Sequence, residues 1–268
     1  MSEERYSDPV RRLLERGKVD YGEWDDYTLD GIGPEHVDEL IRMAGDMELN
    51  NGDPESLEVW APLHAVRALG QLRAEAAVGP LLDLLDYAAE VNEDWFLVDI
   101  PHALERIGPA AVQPAGECLL DSSRPDMARA ETSHALRLIA SAFKEARRAC
   151  AMALSRALQD YRQTDRFLNA VIVWDLVELR AIGAAPLMEA AFEADVVDLA
   201  VGGDWEEAQI ELGLLEERLT PARDWFRESM GLPPLAELEA LSISEGTGKK
   251  QKRKRKQQKQ ARQRNQDR

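Results

Sequence analysis

His64-Ala65-Val66-Arg67-Ala68-Leu69-Gly70, His102-Ala103-Leu104-Glu105-Arg106-Ile107-Gly108 and His134-Ala135-Leu136-Arg137-Leu138-Ile139-Ala140 are three spellings of one short word. A worn fourth copy ends at Leu179-Arg180, with Trp174 in the place of the histidine. Each copy reads as the end of one helix, followed by a break and a second helix. Recurrence of such a unit is the sequence sign of a helical-hairpin repeat array, because one hairpin cannot bury its apolar face alone.

The residues around the first copy explain the expectation. Asn50-Asn51-Gly52 is a turn cluster, and Asp53-Pro54-Glu55 predicts a helix start by capping logic. At helical spacing, Val59, Leu63, Val66 and Leu69 form one apolar stripe, and Gly70 is expected to end the helix. Ala61, Ala65 and Ala68 gather on another side, where small residues let a second helix approach. A helix apolar on two sides belongs inside a stack. The second helix follows as Ala76-Ala77-Val78-Gly79-Pro80-Leu81-Leu82, echoed by Ala110-Ala111-Val112-Gln113-Pro114 and by Ile182-Gly183-Ala184-Ala185-Pro186. Pro80, Pro114 and Pro186 fall near helix starts, where the first amides have no intrahelical acceptor to lose. The third copy lacks this proline, and a long helix from about 144 to 161 is expected instead.

With the repeated word and the registered prolines in view, the chain resembles HEAT-like repeat proteins of the short phycobilisome-lyase type, and uncharacterised bacterial repeat proteins built the same way. The resemblance covers roughly residues 54 to 196. It implies stacked antiparallel helix pairs and a binding surface, and it carries no catalytic residues that map onto this chain. The expected architecture is an all-α, HEAT-like α-solenoid of about four helical hairpins with helical caps and a disordered basic C-terminal tail. Residues 1–51 are read as an N-terminal helical cap, 52–200 as repeats, 201–245 as a C-terminal helical cap and 246–268 as the tail.

The flanks carry their own signals. Asp8 and Pro9 predict a helix start before Val10, Leu13 and Leu14, and Gly31-Ile32-Gly33-Pro34 introduces a second helix with His36 exposed in its first turn. Asp204 and Glu207 stand at capping-box spacing, and Thr220-Pro221 starts a helix containing Trp225 and Phe226. The N-terminus lacks an apolar segment of the secretory kind, and charges interrupt the apolar runs, as in Trp95-Phe96-Leu97-Val98-Asp99. Cys118 and Cys150 sit in helical stretches and are read as buried thiols of a cytoplasmic protein.

The net charge of −17 conceals a segregation. From Lys249 to Arg268 there are eleven basic residues and one acidic residue, about +10 in all. Removing them from the totals of 33 and 50 leaves 22 basic and 49 acidic residues, a body of about −27. Such a basic run attracts phosphate backbones through counterion release without reading sequence. It holds no aromatic residue for base stacking. Lys249, Lys250, Lys252, Arg253, Lys254, Arg255 and Lys256 are the candidate polyanion-binding residues. Gly246-Thr247-Gly248-Lys249-Lys250 resembles part of a small zinc module found at bacterial C-termini, but that module's cysteines are absent from the tail.

Three aligned histidines, His64, His102 and His134, invite comparison with a metal ladder. Two zinc ligands must lie within roughly 4 Å of each other, whereas packed helices are about 8–10 Å apart. The expectation is therefore no metal and a structural role for the imidazoles. Asp83, Asp86, Glu90, Glu93, Asp94 and Asp99 form one acidic cluster, and Asp204, Glu206, Glu207 and Glu211 another. Both are read as solvated faces, because paired carboxylates do acid–base work only in a closed pocket. No nucleophile elbow, phosphate loop or zinc-protease motif is present. These readings favour a non-enzymatic protein-binding scaffold or adaptor that uses an acidic helical-repeat surface and no cofactor, its basic tail serving RNA, ribosome or another polyanion. A tetrapyrrole (bilin) lyase-like or chaperone-like protein is the alternative that the resemblance implies.

Overall fold

The computed structural model describes residues 5–20 and 22–233, and every regular element among them is helical. The N-terminal part contains 3-10 turns at Val10–Glu15, Tyr27–Asp30 and Pro34–His36, then α1 (Val37–Ala44) and α2 (Met47–Asn50). Next come α3 (Ala61–Gln71), α4 (Val78–Val91), α5 (Asp94–Ile107), α6 (Val112–Leu120) and α7 (Asp126–Ala142). They are followed by α8 (Arg147–Leu158), α9 (Arg166–Glu178), α10 (Ala185–Glu193), α11 (Leu199–Gly202), α12 (Trp205–Leu212) and α13 (Trp225–Ser229).

Helices two apart in the chain are in contact, α1 with α3, α3 with α5, α5 with α7 and α7 with α9. The helices between them pack against these, α4 against α5 and α7, α6 against α7, and α8 against α7 and α9. The core among them is Leu-, Ile- and Ala-rich, with Leu69, Leu85, Ile100, Leu104, Leu119, Leu136 and Leu176 fully buried. Both cysteines are buried within it as free thiols. No helix among the described residues is long and apolar enough to cross a membrane.

Each proline-marked helix is entered in the same way. A single 3-10 turn at Glu75–Ala77, Pro109–Ala111 or Ile182–Ala184 runs directly into α4, α6 or α10. Pro80 and Pro114 are third residues of their helices and Pro186 is a second residue, so none costs an intrahelical bond. The helix without a proline, α8, spans Arg147–Leu158 rather than 144–161.

Several expected boundaries move, each for a physical reason. α3 begins at Ala61, and the Asp53 carboxylate stays local by accepting from the Glu55 amide at 3.0 Å. Gly70 is not a stop; it lies inside α3, where an added Cβ would fall 2.8 Å from the Ala103 Cα and 3.1 Å from a Trp24 ring carbon. The glycine sets the distance between α3 and α5. Asp8 caps nothing, because its carboxylate receives the Arg12 guanidinium at 2.5 and 3.0 Å. His36 is only part-exposed, and its Nδ1 accepts the Gly33 amide at 3.0 Å. Asp204 does accept from the Glu207 amide at 3.1 Å, but Glu207 turns to Arg218 at 2.7 Å, so only half of the capping box forms. Thr220 likewise binds Glu206, and Asp224 caps the helix carrying Trp225 and Phe226.

Replacing Gly70 should therefore be costly in proportion to the backbone it meets. Gly70→Val is expected to lower unfolding free energy in urea by about 1–3 kcal/mol, as overpacking does. Gly79→Ala meets nothing within 4 Å. It is expected to be neutral or stabilising by up to ~1 kcal/mol, helix propensity being the only term.

Candidate functional site

The three histidines do not form a ladder. His64 is 2% exposed and faces the N-terminal segment. Its Nε2–H donates to the Gly17 carbonyl at 2.9 Å, which leaves Nδ1 to accept from the Tyr27 hydroxyl at 2.8 Å. Burial pushes its pKa down, so the ring is held as that one neutral tautomer. His102 and His134 are half-exposed instead. The difference was written in the spacing. Sixteen residues separate His64 from Pro80, but twelve separate His102 from Pro114 and Trp174 from Pro186. Counted from the prolines, His64 is aligned with Val98, one helical turn before His102. Among the described residues, no group of three His, Cys, Asp or Glu side chains is placed to hold a metal.

His102 and His134 belong to a broader surface. On α5 the residues that escape full burial include Val98, His102 and Glu105; on α7 they include Met127, Glu131, His134 and Leu138. On α9 they include Phe167, Val171, Trp174 and Glu178. Steps of three and four residues put each set on one face of its helix. The sets are neighbours electrostatically as well, since His102 acts on His134 and Asp175 acts on Glu131. At about 8–10 Å per helix, the three stripes make a face roughly 20 Å wide. Its α9 end is covered. An added Cβ on Gly202 would lie 2.0 Å from the Trp174 indole nitrogen, so α11 rests directly on that ring.

A polar seam lies under this face. Asp175 is buried on α9 and accepts from Ser133 Oγ at 2.5 Å and Arg137 Nε at 2.9 Å. The same guanidinium reaches Glu178 at 2.9 Å and lies 3.0–3.1 Å from both His134 ring nitrogens. Burial, then Arg137 and His102, drives His134 down to about 4, so it is neutral at physiological pH. Asp175 is raised to about 6 by burial against the opposing pull of Ser133 and Arg137. Glu131 has no compensating cation; burial and the Asp175 carboxylate push it up to about 7.

The acidic clusters are only partly solvated. Asp99 is 3% exposed, and its carboxylate holds Arg67 at 2.6 Å. Asp83 and Asp86 clasp Arg124 at 2.8 and 2.9 Å, while Asp204, Glu207 and Glu206 surround Arg218 at 2.6, 2.7 and 3.6 Å. These carboxylates are committed to structural arginines. Sequence reasoning missed a separate feature, an aromatic cleft where Trp60, Tyr87 and Trp95 meet. Lys249, Lys250, Lys252, Arg253, Lys254, Arg255 and Lys256 lie outside the described residues. No protein-family model, curated protein or solved structure matches the chain.

The raised Glu131 has a signed consequence for stability. An acid with a native pKa of about 7 and an ordinary value of 4.5 binds more protons when folded. Stability from this group therefore falls as pH rises between those values. Glu131→Gln should gain on the parent chain as pH is raised from about 5 to 8, by roughly 1–2 kcal/mol once solvent screening is allowed for. Parallel urea titrations at the two pH values measure it, and an unchanged difference would refute the desolvated-carboxylate account.

Proposed function

We propose that the chain is a HEAT-like α-solenoid that acts as a non-enzymatic protein-binding scaffold or adaptor. In this reading an extended segment of a partner lies across the open stripes of α5 and α7, and the basic tail engages RNA, ribosome or another polyanion. One observation carries most of the weight. In the first repeat the corresponding stripe of α3 is already occupied, by irregular chain from the protein's own N-terminus. His64 donates to the Gly17 carbonyl, Arg67 to the Asp20 and Glu23 carbonyls, and Gln71 to the Asp25 carbonyl while accepting the Tyr27 amide. Side chains at helical steps of three and four thus hydrogen-bond to backbone groups of irregular chain. The next stripes offer similar chemistry, with His102 and Glu105 or Glu131 and His134, beside exposed apolar groups such as Val98 and Met127. The aromatic cleft, at about 220 Å³, is below the roughly 300–1,000 Å³ of sites that bury drug-sized ligands, and so lends no support to the tetrapyrrole reading.

Two experiments separate the halves of this reading. Ribosome and RNA co-sedimentation is compared for the full chain and a chain ending at Glu245. Binding is expected only with the tail, and to weaken by about a hundredfold or more between ~50 and ~200 mM salt. For the body, Met127→Glu combined with Val98→Glu should abolish capture of a protein partner in cross-linked extracts while leaving the tail's sedimentation intact. Partner capture that survives both substitutions would exclude this face.

A further inference from the structure

We propose that the cleft between Trp60 and Trp95 binds a quaternary or methylated ammonium group. The inference stands apart from the docking face, and it rests on what the walls of the cleft are made of. Trp60 and Trp95 stand edge to face, with centroids 5.4 Å apart and planes at 85°, so the site has two indole walls in different orientations. Tyr87 and Phe96 add two further rings to the lining. Aromatic faces carry the negative lobe of the ring quadrupole, and several around one small space attract a cation.

The polar groups of the cleft point the same way. Glu93 brings a carboxylate to its lining. Asn50 commits one amide N–H to the Ala44 carbonyl at 3.1 Å, and its side-chain oxygen remains an acceptor. The Tyr87 hydroxyl donates to Asn51 Oδ1 at 3.2 Å, so its remaining capacity also accepts. A ligand that needs donors finds few from these groups, whereas a cation finds a carboxylate, oxygens and rings. The acidic body, about −27 by sequence, adds a long-range bias in the same direction.

Size and hydration narrow the class. A volume of about 220 Å³ equals roughly seven water molecules, enough for a small head group and not for a large ligand. The chain's own Lys18 ammonium comes only to 5.8 and 5.9 Å from the two indole centroids, near the ~6 Å limit of the interaction, and does not line the cleft. A primary ammonium is strongly hydrated and gains little by entering. A methylated ammonium has exchanged N–H donors for methyl groups, which suit the Val59, Leu63 and Phe96 surface.

The test uses the full chain and follows the indole N–H signals of its six tryptophans by NMR. The probes are choline, its neutral isostere 3,3-dimethylbutan-1-ol, and a peptide with trimethyllysine or unmodified lysine. Choline should shift the Trp60 and Trp95 signals saturably and bind at least about fivefold more tightly than the neutral alcohol. Glu93→Gln, at a helix-flanking position with no capping bond, should weaken choline about two- to fivefold and leave the alcohol unchanged. Stronger binding of the trimethyllysine peptide than of choline would assign the ammonium to a protein side chain, and the reverse to a free small molecule. Equal binding of choline and the alcohol, or no movement of these two signals with any methylated probe, overturns the proposal.

Discussion

Arg67 of α3 is 2% exposed, and two other parts of the chain meet on its guanidinium. Its Nε donates to Asp99 on α5 at 2.6 Å, and its terminal nitrogens donate to the Glu23 and Asp20 carbonyls at 2.8 and 3.0 Å. The Trp24 ring lies 5.5 Å from the guanidinium carbon and 4.4 Å from that of Arg106. Removing one partner of such a buried pair costs about 3–5 kcal/mol, because a charge is left uncompensated. The net contribution to stability is smaller, since both ions had to be desolvated. What the arrangement supplies is position. It fixes Asp20, Glu23 and Trp24 against α3 and α5 near the place where Gly70 lets those helices approach, so the packing distance and the N-terminal segment are set together.

The other junctions repeat the principle with different residues. Arg137 and Ser133 hold Asp175 between α7 and α9, and Arg124 joins α4 to the turn before α7 through Asp83, Asp86 and the Leu82 carbonyl. At the last junction Asn169 donates to the Tyr161 and Val196 carbonyls at 2.8 and 2.9 Å. Alanine-rich helices slide past one another at little cost in packing, because their surfaces are smooth. A directional polar contact at each seam selects one register. The compensation is incomplete at Asp86 Oδ1 and Asn169 Oδ1, which are buried without a partner, and at Glu131. These positions mark where fixing the register has left desolvation unbalanced.

Much of the helical class was legible, because Leu, Val and Ala at steps of three and four leave few alternatives and because three prolines mark equivalent helix starts. Boundaries were less legible because the same residues had two physical uses. Asp8 and Thr220 have the chemistry of caps, yet nearby Arg12 and Glu206 took them. Gly70 looked like a stop, and only the neighbouring helix shows that its missing Cβ matters more than its flexibility. The histidine alignment failed at one identifiable point, the four extra residues between His64 and Pro80, which place that imidazole one turn away from its apparent equivalents. Asp99 was read with a solvated cluster because sequence neighbours cannot reveal a buried arginine 32 residues earlier. The aromatic cleft had no sequence signal at all. Trp60, Tyr87 and Trp95 come from three elements whose meeting depends on the tertiary packing.

The same internal pairing bears on how the two charged parts of the chain would divide the proposed function. Arg67, Arg124, Arg137 and Arg218 are turned toward carboxylates and carbonyls of the fold, so these four of the body's 22 basic residues do little to offset its outer surface. A tail of about +10 set against a body of about −27 cannot neutralise it, and the sum remains −17. Surface charges interact over about 8 Å at physiological ionic strength, so in the proposed function a polyanion bound by the tail would be repelled by any acidic part of the body that came within that range. The tail and the stripes of α5 and α7 would then serve different partners, the one a polyanion and the other a protein segment, because no single polyanionic partner suits both charges.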